Sequence, residues 1–184
     1  MRVKKYLILL TVLALLVAAA VFAVYADEPQ AESQGIWCPQ CSKYVPENEW
    51  IPWTFNGGTV TEEGHYYLAE TYIQTSQIDI PALKFDCLDL RGNAWIAEGI
   101  RPIDLSGALA VFDSVGGGTI LTTGANKTNG GFANVGEGAQ FDLHSGTIQR
   151  IVRDDITLNK GGLFFVNGGT VNLHGGKVSG GVVE

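Results

Sequence analysis

From Gly57 onward the chain is written in short runs in which apolar and polar residues alternate, each run stopped by glycine, proline or asparagine. Alternation at period two puts one set of side chains on each face of a β-strand, and the stops supply turns. Thr59-Val60-Thr61, Tyr66-Tyr67-Leu68, Ser76 to Ile80, Phe85 to Leu90, Ala108 to Phe112 and Thr119 to Thr122 read as strands on this ground. No sustained helical period competes with them. In Phe85 to Leu90 the apolar residues occupy both parities, Phe85 and Cys87 against Leu88 and Leu90, which predicts a bulge. Cys87 then sits among apolar neighbours as a buried, inert thiol.

The last third repeats itself. Ala139 to Gln149 reads AQFDLHSGTIQ and Gly169 to Ser179 reads GTVNLHGGKVS, so that Leu143, His144 and Gly146 recur thirty residues later as Leu173, His174 and Gly176. Gly130-Gly131-Phe132 and Gly161-Gly162-Leu163 open the two units. GGTILTTG at Gly117 to Gly124 echoes GGTVNLHG at Gly168 to Gly175, which makes Ile120, Phe141 and Val171 equivalent core positions, with Arg150 to Lys160 inserted between the later two. Glycine-punctuated strands repeating at a fixed offset are the mark of a solenoid. The expected fold is therefore all-β, a right-handed parallel β-helix over 57–184 with a small N-terminal cap containing cysteines and tryptophans. Alternation turns Phe141, Leu143, Val171 and Leu173 inward, and Gln140, Asp142, His144, Thr170, Asn172 and His174 outward. The chain stops at Val182-Val183-Glu184 after a complete repeat, so the last coil is expected to continue in a longer protein or to be covered by end-to-end self-association.

The N-terminal stretch adds a compartment. Arg2, Lys4 and Lys5 precede the apolar run Tyr6 to Tyr25, and Val24-Tyr25-Ala26 supplies small residues for cleavage, so 1–26 reads as a signal peptide. An uncleaved anchor is the alternative, the only route by which this chain would meet a membrane. Either way the remainder is exported, where disulfides are permitted. Residues 27–35 form a polar linker. The formal charge is −7, and removing the three leader cations leaves 9 basic residues against 19 acidic, or −10. Such a surface repels nucleic acid and anionic lipid.

Residues 36–56 form a lobe with Cys38-Pro39-Gln40-Cys41 and the indoles Trp37, Trp50 and Trp53. A redox Cys-x-x-Cys would open a helix, yet Pro46 follows and no amphipathic helix is visible. Half of a zinc knuckle is a second reading of Cys38 and Cys41, with only His65 and Cys87 available to complete four ligands. The third and preferred reading is structural: a strained disulfide, or two reduced thiols, tying down the lobe. Trp37, Trp50 and Trp53 read first as the plug closing the first coil, and second as a sugar-stacking platform, with Trp50 and Trp53 its candidate binding residues.

GHYYLAETYIQTSQIDI, CLDLRGN and GGTVNLHGGKVSG, together with the leader and the Cys-x-x-Cys lobe, carry a resemblance. They resemble the secreted right-handed parallel β-helix proteins of Gram-positive gut anaerobes, in the pectate-lyase-like superfamily. The resemblance implies a secreted or cell-surface protein that binds or degrades polysaccharide, although relatives have many more coils than the four or five expected here. The outward ladder Asp142, His144, Asn172 and His174 is the candidate ligand site, able to hydrogen-bond a glycan or hold a transition metal. Arg150, Arg153, Asp154 and Asp155 have the residue types of a calcium-assisted lyase, but neighbouring strand residues face opposite ways. The expected function is an exported β-helix module, structural or polysaccharide-interacting, rather than an enzyme. The alternatives are the N-terminal part of a polysaccharide lyase or glycoside hydrolase, and an adhesin for host protein.

Overall fold

A computed structural model describes residues 35–157, 160 and 162–180. The leader and most of the linker lie outside the described residues. In chain order the elements are β1 (Ile36–Cys38), β2 (Lys43–Val45), a 3-10 turn (Glu47–Glu49), β3 (Trp50–Pro52), β4 (Gly58–Thr59), β5 (Gly64–Tyr67), β6 (Tyr72–Gln74), β7 (Ile78–Ile80), β8 (Phe85–Asp89), β9 (Ala94–Glu98), β10 (Ile103–Leu105), β11 (Ala108–Phe112), β12 (Thr119–Gly124), β13 (Ala133–Val135), β14 (Gln140–Leu143), β15 (Thr147–Arg150), β16 (Phe164–Val166), β17 (Thr170–Leu173) and β18 (Lys177–Ser179). Among the described residues every strand pairing apart from the antiparallel hairpin β1–β2 is parallel.

Three sheets result, of order β16-β13-β10-β7-β4, β17-β14-β11-β8-β5-β3 and β18-β15-β12-β9-β6. The chain visits them in rotation, so each coil contributes one strand to each sheet and five coils stack: a parallel β-helix. The two repeat units stack in register, with Phe141 on Val171, Asp142 on Asn172 and Leu143 on Leu173. The Ile120 assignment is corrected. Ile120 lies in the third sheet, in register with Trp95 and Ile148, whereas Phe141 stacks on Leu109 in the second. Gly-Gly-Thr opens β12 in the third sheet and β17 in the second, so an eight-residue echo cannot say which sheet a strand joins.

The bore of the coil is apolar and aromatic. Trp95 is fully buried, with Trp53, Tyr72 and Phe132 around it, and the aromatic column runs on through Phe141 and Phe164. The Trp95 indole N–H donates to Gln74 Oε1 at 2.7 Å, and the Gln74 amide donates to the Pro102 and Ser76 carbonyls. That is why a buried glutamine is tolerated here: each of its polar atoms is matched. Trp53, with Phe55 and Tyr66, closes the first coil; of the other two indoles expected in that plug, Trp50 packs with Phe112 in a separate cluster and Trp37 stays half-exposed.

The corner between the second and third sheets is held by a stack of short polar side chains. Asp113 accepts from the Gly92 N–H at 2.7 Å and the Gly118 N–H at 2.6 Å, Asp89 accepts from the Ser114 hydroxyl and N–H, and Ser145 Oγ accepts from the Asp113 N–H. Gly146 and Gly176 occupy this corner with φ of 87° and 75°, a conformation that a Cβ disfavours, which explains why both repeat units keep glycine there.

No bulge interrupts β8, which runs in unbroken register with β11; the register shift lies instead at Thr122/Gly124 in β12. Both faces of β8 carry apolar residues because both are covered. Leu88 points into the bore, while Cys87 packs with Cys38, Val45, Trp50, Ala110 and Phe112 in a second cluster. The N-terminal hairpin therefore lies on the outward face of the second sheet. Beneath it, Arg91 spreads over the Tyr67 ring at 3.8 Å and reaches Glu47 at 3.7 Å.

Candidate functional site

The covered face of the second sheet changes what its outward ladder can do. Asp142 was expected to face solvent, yet it is fully buried, because the outward residues beside it are overlaid and its oxygens are taken. Oδ1 accepts from Asn172 Nδ2 at 2.8 Å and lies 3.0 Å from His174 Nε2, and Oδ2 accepts from Gln140 Nε2 at 2.6 Å. His144 and His174 stack face to face, 4.6 Å between centroids and 10° apart in plane. His144 Nε2 is 3.0 Å from Gln40 Oε1, so the hairpin reaches across to the ladder. Burial, and then the neighbouring His174 imidazole, lower the His144 pKa below its ordinary value, which leaves the ring neutral at pH 7. All four predicted ladder residues do come together. They form a hydrogen-bonded stack rather than ligand atoms converging on one point.

Beside that stack runs an open groove of about 570 Å³ between the hairpin and the solenoid, lined by Ile36, Trp37, Pro39, Phe112, His144 and Ser145 among others. Alternation along β1 explains its wall: Cys38 is buried against the sheet while Trp37 keeps 46% of its surface exposed. The Tyr44 ring meets the Trp37 indole edge-on at 5.1 Å and steadies it.

Trp50 and Trp53 do not form a platform. They are 5% and 4% exposed, Trp50 packed on His65 and Phe112 and Trp53 in the bore, so neither offers a face to a sugar. Of the three indoles named for the platform only Trp37 is exposed, as its place in an alternating strand allows. In the charged insertion the contacts are these. Arg150 is buried and bonds the Thr123 carbonyl, while Arg153 engages both oxygens of Asp155 at 2.9 and 3.1 Å.

Cys38 and Cys41 are not bonded to each other; all three cysteines are free. Cys38 ends β1, Cys41 sits on the turn that follows, and the Cys41 N–H donates to Cys38 Sγ at 3.4 Å. Across from them, β5 and β8 pair His65 directly with Cys87. Cys38 Sγ lies 3.1 Å from Cys87 Sγ, Cys41 Sγ lies 3.2 Å from His65 Nε2 and 4.0 Å from Cys87 Sγ. The hydrogen-bonding contact with the Cys87 thiol pulls the Cys38 pKa down to about 5; the same contact pushes Cys87 upward. Comparison with protein-family models, with curated proteins and with solved structures finds no match.

Proposed function

We propose that this chain is an exported β-helix module that binds polysaccharide, at the cell surface or in secreted form. The groove beside Trp37 carries the reading. A steadied, half-exposed indole suits the C–H face of a pyranose, and the neutral imidazole of His144 with the amide of Gln40 supplies hydrogen-bonding groups within reach of it. The acidic surface favours neutral glycans over polyuronates. Export is supported by the basic-then-apolar start of the chain, and the secreted relatives of the pectate-lyase-like superfamily that the chain resembles point the same way. Binding is favoured over hydrolysis or elimination because the carboxylates nearest the groove are engaged: Asp113 holds two backbone N–H groups and Asp142 is buried under three donors.

A glycan array probed with and without EDTA tests this. The expected result is retention on neutral glycans that falls about tenfold or more for Trp37→Ala, equivalent to about 1.4 kcal/mol of stacking. Absence of binding in both conditions would overturn the reading.

A further inference from the structure

The geometry points to a zinc site built from Cys38, Cys41, His65 and Cys87, which fastens the N-terminal hairpin to the side of the solenoid. The four ligand atoms lie within 4.8 Å of one another. Tetrahedral zinc, with Zn–S near 2.3 Å and Zn–N near 2.0 Å, needs ligand atoms about 3.5 to 3.8 Å apart. The separations of 3.1, 3.2 and 4.0 Å straddle that range. Three thiolates and an imidazole form a standard structural zinc set, and borderline-soft zinc suits it better than calcium or magnesium would.

Each ligand is placed by an independent feature of the fold. The Cys-x-x-Cys turn holds two sulfurs on one side, with the Cys41 N–H to Cys38 Sγ bond that steadies a knuckle thiolate. Lateral pairing of β5 with β8 presents His65 and Cys87 side by side on the other. The His65 ring is fixed in plane by Trp50, edge-on at 5.1 Å. Cys38 and Cys87 are buried while Cys41 is part-exposed, which gives an ion a path from solvent.

A disulfide is the competing use of these residues. With three cysteines any disulfide leaves one thiol over and gives His65 no role, whereas a Cys3His site uses all four. With every coordination position filled by protein the site is structural, not catalytic. Its purpose follows from the hairpin itself, since a lone two-stranded hairpin is marginal in water. Coordination of the ion supplies docking energy that the hairpin lacks. The site stands whether or not the groove takes a sugar.

The test is native mass spectrometry with metal quantification on the full chain, purified at neutral pH with and without reductant. We expect one zinc per chain, lost in Cys41→Ser and in His65→Ala while circular dichroism still reports the β-fold. Cys41→Ser is the safer variant, because that side chain is only part-buried and outside the bore. Cobalt substitution should give the intense visible bands of a tetrahedral thiolate site in the wild type and not in Cys41→Ser. A metal-free chain with three titratable thiols would overturn the site, as would a Cys38–Cys87 disulfide peptide from a non-reducing digest, or zinc retained at full stoichiometry by both variants.

Discussion

Asp86 is a carboxyl group facing the bore of the solenoid, and it makes stability depend on pH in a direction opposite to most acids. It is fully buried; one oxygen accepts from the Gly64 N–H at 3.2 Å and the other has no partner. Burial pushes its pKa up to about 6, Glu63 adds to this, and the Gly64 bond offsets only part. In the unfolded chain the same group titrates near 3.9. Between about pH 4 and pH 6 the folded chain therefore holds more protons than the unfolded one, and stability falls as pH rises through that window. Two pKa units correspond to about 3 kcal/mol, fully lost above pH 6. Asp86→Asn removes the titration. Its amide nitrogen then replaces an unpartnered oxygen at a cost of about 1–3 kcal/mol, present at every pH. The assay is urea unfolding followed by tryptophan fluorescence from pH 4 to pH 7, with wild type and variant compared at each pH so that all other groups cancel. The difference should swing by about 3 kcal/mol in favour of the variant between pH 4 and pH 7. A difference that does not change with pH would refute the reasoning.

Other outcomes follow from the same structure. Asp113→Ala frees two backbone N–H groups at the corner and should lower stability by about 2–4 kcal/mol, read as a shift in urea midpoint. Trp95→Phe leaves Gln74 Oε1 without its donor and opens a small void in the bore, and should cost about 2–4 kcal/mol in the same assay. Gly146→Ala forces a side chain into φ of 87° and should cost at least about 1–2 kcal/mol, with Gly146→Asn milder. Chelation of zinc should expose the hairpin to trypsin at Lys43 while residues from β5 onward stay protected, measured by peptide mapping.

Much of the solenoid was legible because its signal is local. The thirty-residue echo of Phe141 in Val171 is a true register, and the Gly146/Gly176 match marks the same turn with the same backbone. What failed depended on contacts made far along the chain. Asp142 reads as an outward polar residue, and nothing near it in sequence says that it lies buried on a face whose outward residues are overlaid. Cys87 and Phe85 look like a parity error for the same reason. The cysteine cluster was legible in its residues but not in its geometry: Cys-x-x-Cys, His65 and Cys87 could be named as a set, yet His65 and Cys87 become neighbours only through the rise of one coil. Only aligning GHYY at Gly64 with DCLD at Asp86 gives that register, and the text of those two strands shares too little to suggest it.

A sugar bound between the hairpin and the second sheet would lie against two imidazoles, and NMR of those rings reads that place directly. Titrating the chain with the strongest glycan from the array should shift the ring signals of His144, and of His174 stacked on it, in a saturable way while those of His65 stay put. His144 and His174 signals unmoved at saturating glycan would contradict the account.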